Sequence, residues 1–414
     1  MNRWPHICSV AQEQAQVTSL ATGDKADTPR FLIPLDRGIG DIFLAGLSAI
    51  DQIIKNEPAA YGKIDILCSP LQAEAFEYDP RVNRVILTDK ALAMGPFVTE
   101  WLRGNILDDE TARIMHYLQD RNYEAILPTL VAPGLYFRLH ARLMYPDLFK
   151  LGKNFLTLRA PTGTTLRKMI RQMVNKYFKR DLPSSMLTDE VFLYMVTKNV
   201  RKATELMQQL KKRSNVGMGK AEVLVVATDS AAIVTRPPTH LLAAALAEVL
   251  RRYHHLVVCI LPSYTDTGAS ERLRSALAAD FVERVFMLPA EPRLRLLDTA
   301  ALIDQADIFV TGDTGVMHLA AAAKRIRKGA TTPPFVPRNS VKIIAIFGGT
   351  NPDIFGYSER TVIVGRGRKE QRRFSPGFVK ELYNPRGKDI FDHISPQQLA
   401  EAISNQVSSL ANGL

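Results

Sequence analysis

Three strand-to-helix turns hold the residues best suited to chemistry. The first is the stretch PLDRGIGDIFLAG, from Pro34 to Gly46. Gly38 and Gly40 follow an apolar run and precede a helical pattern, where nucleotide-binding folds place a glycine-rich phosphate loop. A dinucleotide fingerprint would need a third glycine, but Phe43 stands at that position, and no Gly-Lys-Ser/Thr follows. Asp41 also argues against a phosphate here. A carboxylate at a helix N-terminus already uses the positive end of the dipole and repels a second anion. The glycines then shape a turn that presents Asp41, and two readings stand for that residue. It is a helix cap, or it is a general base at a strand's carboxyl end, facing a cleft between domains.

The second turn lies in ADIFVTGDTGVMHLAAAA, residues 306–323. A strand ends at Thr311 and Gly312, and a helix begins near Thr314. Asp313 and Thr314 are both potential caps, and Gly315 allows close backbone approach. The first-turn amides of such a helix form an anion site, which His318 either faces or leaves to pack against the sheet. The third turn lies in IFGGTNPDIFGYSERTVIVGRG, residues 346–367. Gly348, Gly349 and Pro352 mark a sharp loop, in which Thr350 and Asn351 either donate hydrogen bonds into a cleft or stand in a surface turn.

The elements that must position these turns follow from apolar periodicity. Runs fit for buried strands occur at 31–35, 63–68, 82–88 and 123–128, with helical patterns at 41–54 and across roughly 91–120. The alternation restarts with strands at 221–228, 255–261, 282–288, 306–312 and 341–348. Such alternation predicts parallel sheets covered by helices. Residues 150–220 are rich in Lys, Arg and Met and show no convincing strand. An α/β chain with two Rossmann-like, doubly wound units is therefore expected. It comprises a polar, weakly ordered leader (1–29), a first unit (30–149), a basic helical insertion (150–220), a second unit (221–394) and a C-terminal helix (395–414). A ligand between two such units sits near the carboxyl ends of both sheets. In the last helix, Ser395 can cap, Pro396 suits the first turn and Gln398 can complete a capping box.

The chain of 414 residues suits two domains. Its net charge of +11 favours an anionic partner. Without zinc-finger spacing or an aromatic RNA-binding signature, nucleic acid is not the expected one. No run reaches the roughly 18 consecutive apolar residues of a membrane-spanning helix. The N-terminal stretch lacks the apolar core of a secretion signal. Cys8, Cys68 and Cys259 are far apart and show no metal spacing, an odd and sparse set that fits a reducing cytoplasm.

Together the three turns resemble glycosyltransferase family 9, the bacterial ADP-heptose:lipopolysaccharide heptosyltransferase family. LDRGIGDIFLAGLSAI is similar to the family's strand, polar turn, Gly-Asp pair and helix. VTGDTGVMHLAAAA resembles its later block of acid, hydroxyl, glycine and histidine. IFGGTNPDIFGY follows the next block, with Gly349 where proline is usual, and HISPQQLAEAI looks like the terminal helix. Order and spacing agree over roughly 30–148 and 221–410. The resemblance implies a GT-B fold with the site in the cleft. It implies an inverting transfer of heptose or a related sugar from a nucleotide diphosphate, such as ADP-heptose, to a glycan or lipopolysaccharide-type acceptor. Asp41 stands at the family's proposed general base, and Asp313, Thr314, Gly315, Val316 and His318 line the donor diphosphate. Thr350 joins the donor-binding set. No metal and no cofactor beyond the sugar-nucleotide substrate is expected, since helix amides can take the diphosphate charge. An inverting transfer needs a base on the acceptor hydroxyl and stabilisation of the leaving group, and the two turns offer both.

Some features depart from the family. Its C-terminal domain usually opens with a lysine that contacts the donor phosphates. Here the stretch reads VVATDSAAIVTRPPTHLL, Val234 falls near that position, and no lysine occurs from 221 to 323. Arg236 can supply the charge from a nearby position, while Thr228 and Ser230 can donate to the nucleotide. The alternative is a degenerate, non-catalytic protein that binds a nucleotide or glycan. KRIRKGATTPPFVPRNS, residues 324–340, is expected to be a surface loop. In TTLRKMIRQMVNKYFKR, residues 164–180, Leu166, Met169, Ile170, Met173, Val174, Tyr177 and Phe178 form one helical stripe. Arg167, Lys168, Arg171, Lys176, Lys179 and Arg180 fill other positions. This basic amphipathic helix either packs on the body with a solvated charged face or docks on anionic lipid. The second reading suits a lipid-linked acceptor and a cytoplasmic protein peripheral to the inner face of the plasma membrane.

Overall fold

A computed structural model describes residues 30–35, 38–87, 117–118, 121, 123–127, 154–155, 164–214, 216, 221–230, 235–264, 266–327, 336–357, 361–366 and 390–411. The expected leader, the helical pattern across 91–116, Cys8 and Val234 lie outside these residues.

Two parallel sheets dominate. Strands β1 (Phe31–Pro34), β2 (Ile64–Cys68), β3 (Val82–Leu87), β4 (Ala125–Ile126) and β5 (Asn154–Phe155) stand in the order β3-β2-β1-β4-β5. A second sheet holds β7 (Glu222–Val226), β8 (Leu256–Ile260), β9 (Val285–Met287), β10 (Ile308–Gly312), β12 (Lys342–Ile346) and β13 (Thr361–Val364), in the order β13-β12-β10-β7-β8-β9. Each sheet starts at an inner strand, winds outward one way, then returns to wind outward the other way. In such doubly wound sheets the ligand crevice opens beyond the strands' carboxyl ends, where the order reverses. Those points lie between β1 and β4 and between β7 and β10. The first turn leaves β1, the second leaves β10, and Thr228 follows β7, so the fold itself delivers the candidate residues to the crevice.

The strands form because both faces are covered. Along β7, Val223 and Val225 join one apolar cluster while Leu224 and Val226 join another. Alternate side chains point to opposite faces, so a sheet coated on both sides reads as an unbroken apolar run. The helices that coat the sheets are α1 (Ile39–Asp41), α2 (Leu47–Asn56), α3 (Pro70–Ala73), α4 (Leu166–Tyr177), α5 (Thr197–Arg213), α6 (Thr239–Arg252), α7 (Thr267–Phe281), α8 (Leu296–Gln305), α9 (Gly315–Ala321), α10 (Pro352–Phe355) and α11 (Pro396–Ala411). A π-helical turn, Ile42–Gly46, joins α1 to α2. At α11 the Gln398 amide donates to Ser395 Oγ at 3.1 Å and the Ser395 amide donates to Gln398 Oε1 at 2.9 Å, the reciprocal cap read from the sequence.

Residues 150–220 depart from expectation. They hold β5, which extends the first sheet, and β6 (Phe192–Met195), which pairs in parallel with β11 (Ala323–Ile326). Residues 324–340 therefore begin as a strand rather than a loop. Both partners are four residues long and far apart in sequence, so no local periodicity could reveal the ladder. The helices of this segment divide their contacts. Helix α4 packs on α2, and α5 packs on α8.

The stripe of α4 faces inward as expected, but its charged face is not wholly solvated. Arg167 is 0% exposed and Arg171 2%. Arg171 donates to Asp51 Oδ2 at 3.1 Å and to the Glu190 carbonyl at 2.6 Å. Arg81 closes on the other oxygen of Asp51 and grips Asp79 with two nitrogens. Four of the six cations, Lys168, Lys176, Lys179 and Arg180, remain partly or fully exposed.

Candidate functional site

Helix α1 starts two residues before the sequence pattern suggests, with Gly38 as its N-cap. Asp41 is therefore the third residue of the helix rather than its cap. Its Oδ2 accepts a hydrogen bond from the Gly38 amide at 3.0 Å, the back-reaching half of a capping box. Gln72 Nε2 donates to the Gly38 carbonyl at 3.0 Å, which ties the turn to α3. Gly38 has φ −82°, so handedness does not demand glycine there. Space does: a Cβ would lie 2.9 Å from Asp41 Oδ2.

In the second turn Thr314 is the N-cap of α9, but its side chain does not cap the first turn. Its Oγ1 lies 3.4 Å from Thr311 Oγ1 instead. Asp313 does not supply that cap either; it turns to Thr350. The first-turn amides of Gly315 and Val316 thus keep the character of an anion site. Asp313 is 8% exposed, and burial pushes its carboxyl up to about 6. The neighbouring Thr350 hydroxyl and the positive charge of Arg167 oppose that rise. Thr350 is 7% exposed, and its Oγ1 reaches no fully formed hydrogen bond among the described residues.

His318 is 3% exposed, and burial, helped by Arg167, holds its pKa down to about 3. The ring is neutral at neutral pH. Its Nδ1 lies 3.2 Å from the Tyr357 hydroxyl, and its Nε2 lies 3.8 Å from Asp313 Oδ1, beyond hydrogen-bond reach. His318 thus packs inside the site rather than standing open to solvent.

Glycines bring the turns together. A Cβ on Gly40 would lie 3.2 Å from His318 Cδ2. A Cβ on Gly315 would lie 2.6 Å from Ile39 Cβ and 3.2 Å from the Gly40 nitrogen. One on Gly312 would strike the Thr235 carbonyl and approach Pro237 Cδ to 2.7 Å. The segment of Arg236 therefore packs against the Asp313 turn within the second unit, and the Asp41 turn and the Asp313 turn meet at a seam between the two units. Next to it lies a cavity of about 70 Å³, lined by Ile39, Ala227, Leu261, Tyr264, Arg293 and Val316 among others.

The remaining expected donor residues have partners within the second unit. Arg236 donates to the Ser230 carbonyl at 2.6 Å and to Asp266 Oδ2 at 3.1 Å. Ser230 Oγ bonds to Thr235 Oγ1. Ser270 gives its proton to the Leu261 carbonyl, so the Thr228 hydroxyl, 3.0 Å away, donates to Ser270. The proton of Thr228 is then committed within the second unit.

Sequence reasoning missed two residues here, Tyr357 and Arg167. The Arg167 guanidinium lies 3.6 Å from the Tyr357 ring centroid and donates to the Gly356 carbonyl at 2.5 Å. Tyr357 lies within the third block, five residues past Pro352, where its type alone gave it no role. Position on the helix could have found Arg167, because it shares a face with Val174, seven residues on.

The glycosyltransferase family 9 (heptosyltransferase) model matches residues 198–334, which include the Asp313–His318 turn. No curated protein sequence matches the chain. Among solved structures, the chain is similar to an E. coli ADP-heptose lps heptosyltransferase II at 15% identity and a TM-score of 0.61, covering 92% of this chain and 99% of that one. It is similar to a glycosyltransferase of family 9 from Veillonella parvula at 14% identity and a TM-score of 0.62, covering 94% and 100%. It is also similar to E. coli heptosyltransferase WaaC with ADP-2-deoxy-2-fluoro heptose at 18% identity and a TM-score of 0.52, covering 85% and 98%. At such identities the likeness speaks for the fold. The chain therefore has the two-unit GT-B fold of the heptosyltransferases, and across residues 198–334 it matches glycosyltransferase family 9.

Proposed function

We propose that the protein transfers a sugar, heptose or a related one, from a nucleotide diphosphate to a hydroxyl of a glycan or lipopolysaccharide-type acceptor, with inversion at the anomeric carbon. The observation that supports this best is the seam, where Gly40 of the Asp41 turn meets His318 of the Asp313 turn. It brings a carboxylate on one unit near a helix start on the other, whose amides can take an anion. The acceptor hydroxyl gives its proton to Asp41. Its oxygen attacks the anomeric carbon opposite the diphosphate, and the sugar–diphosphate bond breaks with its electron pair on the leaving group. The amides of Gly315 and Val316, with the Thr314 and Thr350 hydroxyls, take up the charge that develops there. Asp313 receives a donor hydroxyl rather than phosphate oxygen. Arg236, Ser230 and Thr228 brace the loop beside it. The fluorinated ADP-heptose in WaaC supports a sugar nucleotide as donor. Metal plays no part in this reading, since backbone amides meet the diphosphate.

Among the described residues no helix is long and apolar enough to cross a membrane. A cytoplasmic enzyme that meets a lipid-linked acceptor would present Lys168, Lys176, Lys179 and Arg180 of the α4 region to anionic lipid.

A panel of nucleotide sugars and glycan acceptors, read by mass spectrometry, tests the reaction. Asp41→Asn should lower turnover by about 10²–10⁴-fold, the usual worth of a general base, while nucleotide binding persists. Near-normal turnover by this variant would leave Asp41 as a helix-capping residue alone. A second reading, a binding protein without catalysis, is favoured by the missing lysine and by the engagement of Arg236 with Asp266. Any transfer or donor hydrolysis by the wild type removes it.

A further inference from the structure

The proposed donor site poses a charge problem. A nucleoside diphosphate is strongly anionic, no lysine occurs from 221 to 323, and Arg236 is tied to Asp266 and the Ser230 carbonyl. Arg293 lines the neighbouring cavity, and a further cation reaches the site from the insertion. We infer that Arg167, on helix α4 of the insertion, is the positioning residue of the donor site, holding the third turn and, through Tyr357, His318 against the Asp313 turn. This rests on the nucleotide-diphosphate reading of that site.

The geometry is specific. Arg167 is fully buried, so it touches no ligand itself. Its Nη2 donates to the Gly356 carbonyl at 2.5 Å, its Nη1 to the Phe355 carbonyl at 3.5 Å, and its plane lies on the Tyr357 ring at 3.6 Å. The Tyr357 hydroxyl in turn holds His318 Nδ1 at 3.2 Å. Helix α4 thereby fixes the end of the loop whose beginning places Thr350 beside Asp313. The only carboxylate paired with Arg167 among the described residues is Asp189, whose oxygen lies 3.4 Å from Nε and is itself partly exposed. Carbonyl dipoles and one offset acid compensate a buried guanidinium poorly, so much of its positive field is left to act on the site. The groups facing His318 are Asp313, Tyr357 and Arg167, with Asp41 on the short helix that carries Gly40. Those facing Asp313 are Thr350, His318 and Arg167. Burial is the main cause of the low His318 pKa, and Arg167 lowers it further, so loss of the cation must raise it.

The test uses the full chain and two readouts. One is the titration of His318, followed by NMR with labelled histidine and identified by its loss in His318→Asn. The other is the affinity for ADP, measured by calorimetry from pH 5.5 to 8.5. Arg167→Met should move the His318 titration upward and weaken ADP at least tenfold. Arg167→Lys should restore the titration but only part of the affinity, because an ammonium cannot serve two carbonyls and a ring at once. Tyr357→Phe, a mild change that keeps the ring, should weaken ADP severalfold and guards against an Arg167 variant that fails to fold. Unchanged ADP affinity in both Arg167→Met and Tyr357→Phe overturns the inference. A wild type that binds no ADP, while His318 still responds to Arg167, overturns the nucleotide reading and upholds the link from Arg167 to His318.

Discussion

His318 and Asp313 face each other at 3.8 Å, yet their burial acts in opposite senses on stability. The folded-state pKa of His318 is depressed from 6.5 to about 3, so between those values the folded protein binds fewer protons than the unfolded chain. Its contribution is complete above pH 6.5 and is lost as the pH falls. Asp313 is raised from 3.8 to about 6, so across that window the folded protein binds more protons, and its contribution is lost as the pH rises. Removing one group exposes the other. His318→Asn should lose roughly 2 kcal/mol less stability than the wild type between pH 6.5 and pH 5, since each pKa unit is worth about 1.4 kcal/mol. Urea midpoints at the two pH values check this. Parallel curves for the two proteins would mean that His318 is open to protons in the fold.

Helix α4 shows how burial sorts side chains of one chemical type. Arg171 and Lys176 are five residues apart, but Arg171 pairs with Asp51 while Lys176 is exposed. Arg171→Met should cost about 3 kcal/mol, because it leaves a carboxylate without one of its partners. Lys176→Met should stay within about 0.5 kcal/mol, as surface changes do. Comparing the urea midpoints of the two variants checks the contrast. The helix also marks how far the sequence could be read. Leu166, Met169, Ile170, Met173 and Val174 were legible as an inward stripe because apolar spacing reports a face directly. Arg167 and Arg171 lie along the edge of that stripe, yet their charge placed them with the solvated residues. The long strands and the three turns were legible for the same local reason. Strands β6 and β11 were not, because their pairing is decided by residues far apart in the chain. Asp41, Asp313 and His318 stood out by type and spacing, whereas Tyr357 gained a role only when the third loop folded back onto α9.

At the scale of the whole molecule, the two units touch at more than the seam. Glu74, just past α3, accepts from the Leu296 amide at the start of α8 at 2.5 Å, and Glu77 grips Arg295 with a shortest distance of 2.6 Å. The Arg295 side chain is 54% exposed, so this pair adds little to stability. Its place across the units makes it a latch rather than a pillar. The seam has a further consequence, which is one of timing. The cavity beside Ile39 and Val316 is about 70 Å³. Ile39 rests on Gly315 at its edge, so a seam that closes over the site would make a nucleoside diphosphate wait for the halves to part. In stopped-flow mixing with ADP, the observed rate should climb with concentration and then level off at the opening rate, and Arg295→Ala should lift that plateau. A rate that rises linearly throughout would show the site to be always ajar. A levelled rate would make a glycine with no room for one methyl group a clock, because the contact it permits would set how often the molecule admits a guest.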